Sequence, residues 1–223
     1  GLNNDYYTIA KQKNVKIYDF KSEENTFPVD SKIKIVLTDE NKVNLYNYEK
    51  PKYNVFSGLP FVGYNPDDGI KVGIIANYFV YKFKQNPYSQ RHTLVANYFF
   101  ATNGFELLYR GDFPNSIGKW DFTLDAQITG PNFSINYFGY GNETVNDEDI
   151  YGMDYNRAKL RVLKVRPGIK RMGRNGSELN LSAGFDRMKV EETENRYINS
   201  PDAVNPNVFE TQQFAGATAK YSF

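Results

Sequence analysis

Cysteine is absent from the 223 residues, histidine and tryptophan occur once each, and methionine three times. The first absence excludes disulfides, thiol catalysis and thiolate metal sites. A lone His92 cannot build a metal site, and it leaves serine with one imidazole as the sole nucleophile–base combination. No Gly-rich phosphate loop occurs. No apolar run approaches the ~18 residues that a spanning helix needs, yet a barrel strand escapes that test by hiding its apolar residues among alternating polar ones. Charge of neither sign dominates, with 27 Lys plus Arg against 26 Asp plus Glu, so no net field draws the chain to nucleic acid. The opening Gly-Leu-Asn-Asn has neither a basic nor an apolar leader region, as expected of a mature or trimmed product.

What is abundant is aromatic: 18 Tyr and 17 Phe. Such side chains suit pleated surfaces and the girdles at bilayer interfaces, and they equally suit an aromatic β-sandwich. Residues 1–52 read as a small hydrophilic β region, with short runs at Val15–Tyr18 and Lys32–Leu37 between polar stretches. Near Pro51 the character changes, and residues 53–223 alternate.

From Gly118 to Thr129, Trp120, Phe122, Leu124, Ala126 and Ile128 share one face while Asp121, Thr123, Asp125 and Gln127 share the other. Phe105, Leu107 and Tyr109 stand against Glu106 and Arg110, with Leu108 the one dissenter. Ile70, Val72, Ile74 and Tyr78 form a further stripe, as do Leu94 and Tyr98, and Leu179, Leu181 and Phe185. Each stripe fits the roughly 9–11 residues of a tilted transmembrane strand, and these sixteen residues are the expected lipid-facing set. Strands are expected over Val55–Tyr64, Ile70–Phe83, Arg91–Ala101, Phe105–Phe113, Gly118–Thr129, Phe133–Tyr140, Arg157–Lys170, Glu178–Val190 and Phe209–Phe223. Short links (Asn103-Gly104, 114–118, Gly130-Pro131-Asn132) contrast with long polar excursions at 142–156 and 191–208, the asymmetry of outer-membrane barrels.

Glu106, Arg110, Asp121 and Asp125, joined by Arg157, Lys159 and Arg161, are the expected lumen charge network. Paired carboxylates can act as acid and base, but opposite charges that neutralise one another across strands need no catalysis. Arg110-Gly111-Asp112 matches an adhesion tripeptide but falls on a strand, where its backbone is paired. Asp147, Glu148, Asp149 and Asp154 offer oxygen ligands without calcium-loop spacing, which favours a solvated loop. The glycosylation sequons at Asn132, Asn142 and Asn175 mean nothing without a eukaryotic secretory signal. No catalytic residue, cofactor or metal is expected.

Leu59–Gly73, Ala101–Phe105, Gly118–Asp121, Gly130–Phe133 and Tyr137–Thr144 together resemble the barrel entry and first strands of BamA/TamA-like outer-membrane proteins of Bacteroidota. The resemblance is strongest to the large forms in which a calcineurin-like metallophosphoesterase domain precedes the barrel, and it covers about residues 55–195. It implies an all-β, antiparallel transmembrane barrel of sixteen strands, of which this chain supplies eight or nine. It further implies a bacterial outer-membrane location, a lipid environment, and partners among outer-membrane proteins or an assembly complex. The Arg-Gly-Phe motif of the BamA group and the phosphoesterase ligand set are both missing, so no enzymatic role is carried over. The terminal Lys220-Tyr221-Ser222-Phe223 also fits an assembly β-signal, which leaves a complete eight-stranded barrel open. Three functions follow: an assembly or translocation barrel, the membrane anchor of a phosphoesterase, or a soluble sandwich or ligand-binding barrel.

Overall fold

The computed structural model describes residues 5–8, 15–28, 33–39, 53–65, 69–81, 88–140, 148–173, 175–200 and 206–223. Lys32, Phe83, Asn142 and Asp147 lie outside the described residues. The chain divides into two compact units, residues 1–53 with 81–89, and residues 54–80 with 90–223.

In the first unit, β1 (Lys16–Asp19) pairs in parallel with β2 (Lys34–Leu37). Ile17 and Asp19 are buried, and the buried carboxylate accepts the Tyr7 hydroxyl at 2.9 Å while the Tyr7 ring stacks on Phe27. Burial first, and then the hydrogen bond to Asp19 and its charge, push the Tyr7 phenol well above its ordinary pKa. Strands of four residues suit a small water-exposed sheet.

The second unit is one large antiparallel sheet. Its strands are β3 (Val55–Asn65), β4 (Gly69–Val80), β5 (Gln90–Phe99), β6 (Gly104–Ile117), β7 (Trp120–Thr129), β8 (Ser134–Asn136), β9 (Arg157–Met172), β10 (Glu178–Glu191) and β11 (Gln212–Ser222). Their order is β3-β4-β5-β6-β7-β9-β10-β11, a meander in which each strand pairs with its sequence neighbour except that β9 takes both β7 and β8 on one edge. Among the described residues the sheet is not closed: β3 and β11 are its two edges.

Three links differ from the sequence expectation. Phe133–Tyr140 yields only the three-residue β8, because the chain after Thr129 folds onto the sheet: Phe133 meets Phe99 edge-on at 5.6 Å. Gly104 belongs to β6 rather than to the turn. It lies under that fold, where a Cβ would come within 2.8 Å of the Asn132 and Phe133 backbone, while Asn103 alone takes the left-handed turn conformation, φ 55°. Strand β6 runs on to Ile117 through a bulge, and the β6–β7 reversal is made at Gly118, φ 61°.

Pro167 sits within β9, an interior strand, where proline removes a ladder donor. The β9–β10 pairing runs to Ser182 opposite Gly168, breaks, and resumes at Phe185 opposite Val165. The ladder opens at the proline and keeps its register.

Two rims follow from the connectivity. The β6–β7 and β9–β10 turns leave from the rim where β3 begins and β11 ends. Both long excursions, 130–156 and 192–211, leave from the opposite loop rim, together with the short β3–β4 and β5–β6 links.

Candidate functional site: an oblique apolar band and a charged face

Because side chains alternate along each strand, the pairing registers assign every residue to one of two faces. On one face, Phe56 to Tyr64 of β3 adjoin Ile70, Val72, Ile74 and Tyr78 of β4, then Leu94 and Tyr98 of β5. Next come Phe105, Leu107 and Tyr109 of β6, and Trp120, Phe122, Leu124 and Ile128 of β7. Leu163, Val165 and Ile169 of β9, Leu179, Leu181 and Phe185 of β10, and Ala215 to Tyr221 of β11 complete it. All sixteen stripe residues therefore share one continuous face. Among the described residues no second layer of this unit packs over it, and Ile128 is 46% exposed.

The band does not run straight across the sheet. Followed from pair to pair, Tyr78 leads through His92, Gly111, Leu124 and Pro167 toward Ala217. Tyr78 ends the band in β4, whereas Ala217 is in its middle in β11. Over the six strand-to-strand steps from β4 to β11 the band slides by about five residues toward the rim where β3 begins and β11 ends. At roughly 3.3 Å per residue and 4.8 Å per strand, that is an obliquity of about 30°. Strands in closed barrels tilt by about 35–45° against the barrel axis.

Aromatic groups border the band near the terminal rim. His92 lies on the apolar face, its Nδ1 2.8 Å from the Tyr109 hydroxyl and its ring edge-on to Phe113. Arg171 lies 5.7 Å from the centre of the Trp120 ring, its cation over the aromatic face.

The other face is polar. Arg91 meets Asp112 at 2.9 Å, Arg110 lies 3.9 Å from Asp112 and 3.8 Å from Asp125, Arg166 stands opposite Asp125 in the register, and Arg166 meets Asp186 at 3.0 Å. The result is a ladder of alternating sign from β5 to β10. Beside it, Glu106 accepts hydrogen bonds from Asn97 at 3.0 Å and Gln127 at 2.8 Å, tying β5, β6 and β7 together. A concavity of about 340 Å³ opens over Arg110, Asp125, Gln127, Lys164 and Arg166. Leu108 is accounted for by its partner Val95, an apolar pair within the polar face.

Of the expected network, Arg110 and Asp125 are brought together, Glu106 shares their face but is held by the Asn97 and Gln127 amides, and the other four residues are engaged elsewhere. Asp121 is on the polar face but accepts the Asn115 backbone N–H at 2.8 Å and so shapes the β6–β7 bulge. Arg157 is buried beside Asp154, Lys159 reaches Asn132, and Arg161 pairs with Glu191. In β9 the odd-numbered positions share the apolar face with Leu163 and Val165, so Lys159 and Arg161 lie beyond the band's end rather than across the sheet from it. Arg91, Arg166 and Asp186 belong to the ladder and were missed; the alternation of Lys164 and Arg166 with Leu163, Val165 and Pro167 is the signal that marks Arg166.

Above the loop rim the two long excursions clasp each other. Tyr151 stacks on Tyr155 at 4.4 Å, Tyr155 packs on Tyr197 and Tyr197 on Tyr137, and the Tyr197 N–H donates to Tyr155 O at 2.8 Å. Asp154 holds this junction: Arg157 Nη1 meets its Oδ1 at 2.6 Å and Arg196 Nη1 at 3.6 Å. Partial burial alone would raise the Asp154 carboxyl, but the Arg157 hydrogen bond and the two guanidinium charges outweigh it and hold the pKa below its ordinary 3.8. A lowered folded-state pKa stabilises the clasp above the unfolded value and ceases to do so as pH falls through the folded one. Near-ultraviolet circular dichroism of the tyrosines is therefore expected to weaken as pH drops below about 4, and Asp154→Asn should show the weakened signal at neutral pH with little further change. A wild-type signal that is flat across that range would exclude this role.

Among the described residues no group of three or more acids and histidines could hold a metal ion. Comparison with known proteins gives no match, whether to family models, curated proteins or solved structures.

Proposed function

We propose that the second unit is a stretch of wall from a transmembrane β-barrel of the bacterial outer membrane, of the BamA/TamA-like type, acting in outer-membrane protein assembly or translocation. The observation that carries the membrane reading is the uncovered apolar band, set oblique to the strands at nearly the tilt a barrel requires. An oblique band stands level with a bilayer only when the strands tilt, and the polar face then looks onto an enclosed aqueous interior. The two long excursions on one rim agree with surface loops, and eight meandering strands make half of a sixteen-stranded barrel. The assembly role rests on the sequence resemblance. Edge strands β3 and β11 present the unpaired backbone groups that barrel completion or a client strand would use.

The direct experiment is reconstitution of the chain into phosphatidylcholine vesicles, followed by protease. Protection of β4–β7 and β9–β10, with cleavage confined to the excursions and residues 1–52, is expected. A chain that stays monodisperse without detergent and is cut throughout would end the membrane reading in favour of a soluble β protein. For the assembly role, vesicles carrying the chain should speed the folding of a denatured small barrel protein added from outside. No acceleration over empty vesicles would leave a barrel without that function.

A further inference from the structure

At the loop-rim end of the apolar band, the side chains of β9 and β10 change from apolar to cationic without changing face. Arg187 stands opposite Leu163, and Lys189 stands opposite Arg161. By alternation these cations share the outer face with Val165 and Phe185, away from the polar ladder. On β3 to β7 the same face carries no Asp, Glu, Lys or Arg, so the cluster is confined to one sector of the sheet.

Like charges placed directly opposite in an antiparallel pair repel, yet Arg161 and Lys189 are so placed. One acid answers them: Glu191, which meets Arg161 at 2.5 Å. Arg187 and Lys189 are exposed, with no acidic partner among the described residues. With Lys159, which stands opposite Glu191 and reaches Asn132, four cations surround one carboxylate at the border of an apolar surface, and they describe half of a site.

We propose that Arg161, Arg187 and Lys189 bind the phosphate headgroup of an anionic lipid in the leaflet at the loop rim, an inference that rests on the membrane reading above. Leu163, Val165 and Phe185 lie against the acyl chains of that lipid. The cationic stems run along the apolar surface and carry their charges to headgroup level. A guanidinium fork matches two phosphate oxygens, and the Lys189 ammonium adds a point charge. A phosphate between Arg161 and Lys189 turns their repulsion into two charge-assisted contacts. Free phosphate meets the same cations but leaves the adjoining apolar residues unmatched, so a lipid is the source that fits both.

The test uses the full chain in detergent, with equal amounts of phosphatidic acid and phosphatidylcholine, and native mass spectrometry to count retained lipids. Wild type is expected to retain phosphatidic acid about tenfold over phosphatidylcholine, given the surface attraction of each basic residue for anionic lipid. R187Q/K189Q should lose most of that preference, and K164Q on the polar face should keep it. Equal retention of the two lipids, or a preference that survives R187Q/K189Q, overturns the site. Inorganic phosphate that binds as well without lipid overturns the lipid assignment in favour of a free anion. Protease protection in phosphatidylcholine vesicles separates the two readings: protection without lipid preference rejects this inference alone, and absence of protection rejects the membrane reading with it.

Discussion

On the proposed membrane reading, Leu124→Arg is expected to destabilise the folded sheet in a bilayer by about 2–4 kcal/mol, the cost of a cation facing lipid near the midplane of a barrel wall. Leu124 lies near the middle of the band in β7, between Gly111 of β6 and Pro167 of β9. Neither neighbour offers a polar partner, and a long Arg side chain there must cross several apolar positions to reach water. The control has to be a polar-face position that is also exposed. Thr123, the adjacent residue, does not qualify: it is 7% exposed, opposite Asp112 and Gly168, so arginine there would overpack. Thr218 in β11 is exposed on the polar face, and Thr218→Arg should change stability by less than about 0.5 kcal/mol. Ala217→Arg, one residue away on the apolar face, should behave like Leu124→Arg. Urea unfolding from vesicles reads all three, and similar losses at Ala217 and Thr218 would contradict the two faces.

The faces were legible because they depend on a period of two, which survives in the sequence wherever one side is apolar and the other is not. Trp120 to Ile128 and Leu179 to Phe185 needed no tertiary information. Arg157, Lys159 and Arg161 show where that reading gave way. Their charge suggested the interior, whereas parity with Leu163 and Val165 places them with the apolar set, past the point where the band ends. Charge indicates a polar surrounding, and beyond a band both faces are polar. Strand β9 is 16 residues long because its first residues hold β8 above the band rather than continue it.

Other features depended on partners that are remote in sequence. The ladder requires Asp125 of β7 to stand beside Arg166 of β9, and the register across 130–156 is set by the sheet rather than by a turn. Phe133 folds back because Gly104, on another strand, leaves room for its backbone. The obliquity of the band is likewise a sum of registers, none of which can be read from a single strand. The resemblance implies sixteen strands of which this chain supplies eight or nine, and among the described residues the sheet is open, with β3 and β11 as its edges.

Asp112→Ala is expected to cost about 2–3 kcal/mol, the second large effect, because it removes a buried acid that stands between two guanidiniums. Asp112 is 4% exposed and faces Arg91 at 2.9 Å and Arg110 at 3.9 Å. Its buried Oδ2 lies within ion-pair reach of Arg91 but outside hydrogen-bond geometry, so the hold is Coulombic and the expected loss falls below that of a fully bonded buried pair. With the carboxylate gone, Arg110 keeps Asp125 at 3.8 Å, while Arg91 loses the acid beside it. Replacing both members, Asp112→Leu with Arg91→Met, removes the guanidinium along with its acid and should recover at least about half of the loss. A double-mutant cycle across β5 and β6, read by urea unfolding at low and high salt, measures this coupling directly. Exposed pairs fade with salt, so a coupling that persists marks Asp112 as the dry centre of the ladder. A loss under about 0.5 kcal/mol for Asp112→Ala would mean that water already screens the polar face there, and that the alternation of sign from Arg91 to Asp186 adds solubility to that face without adding strength to the sheet.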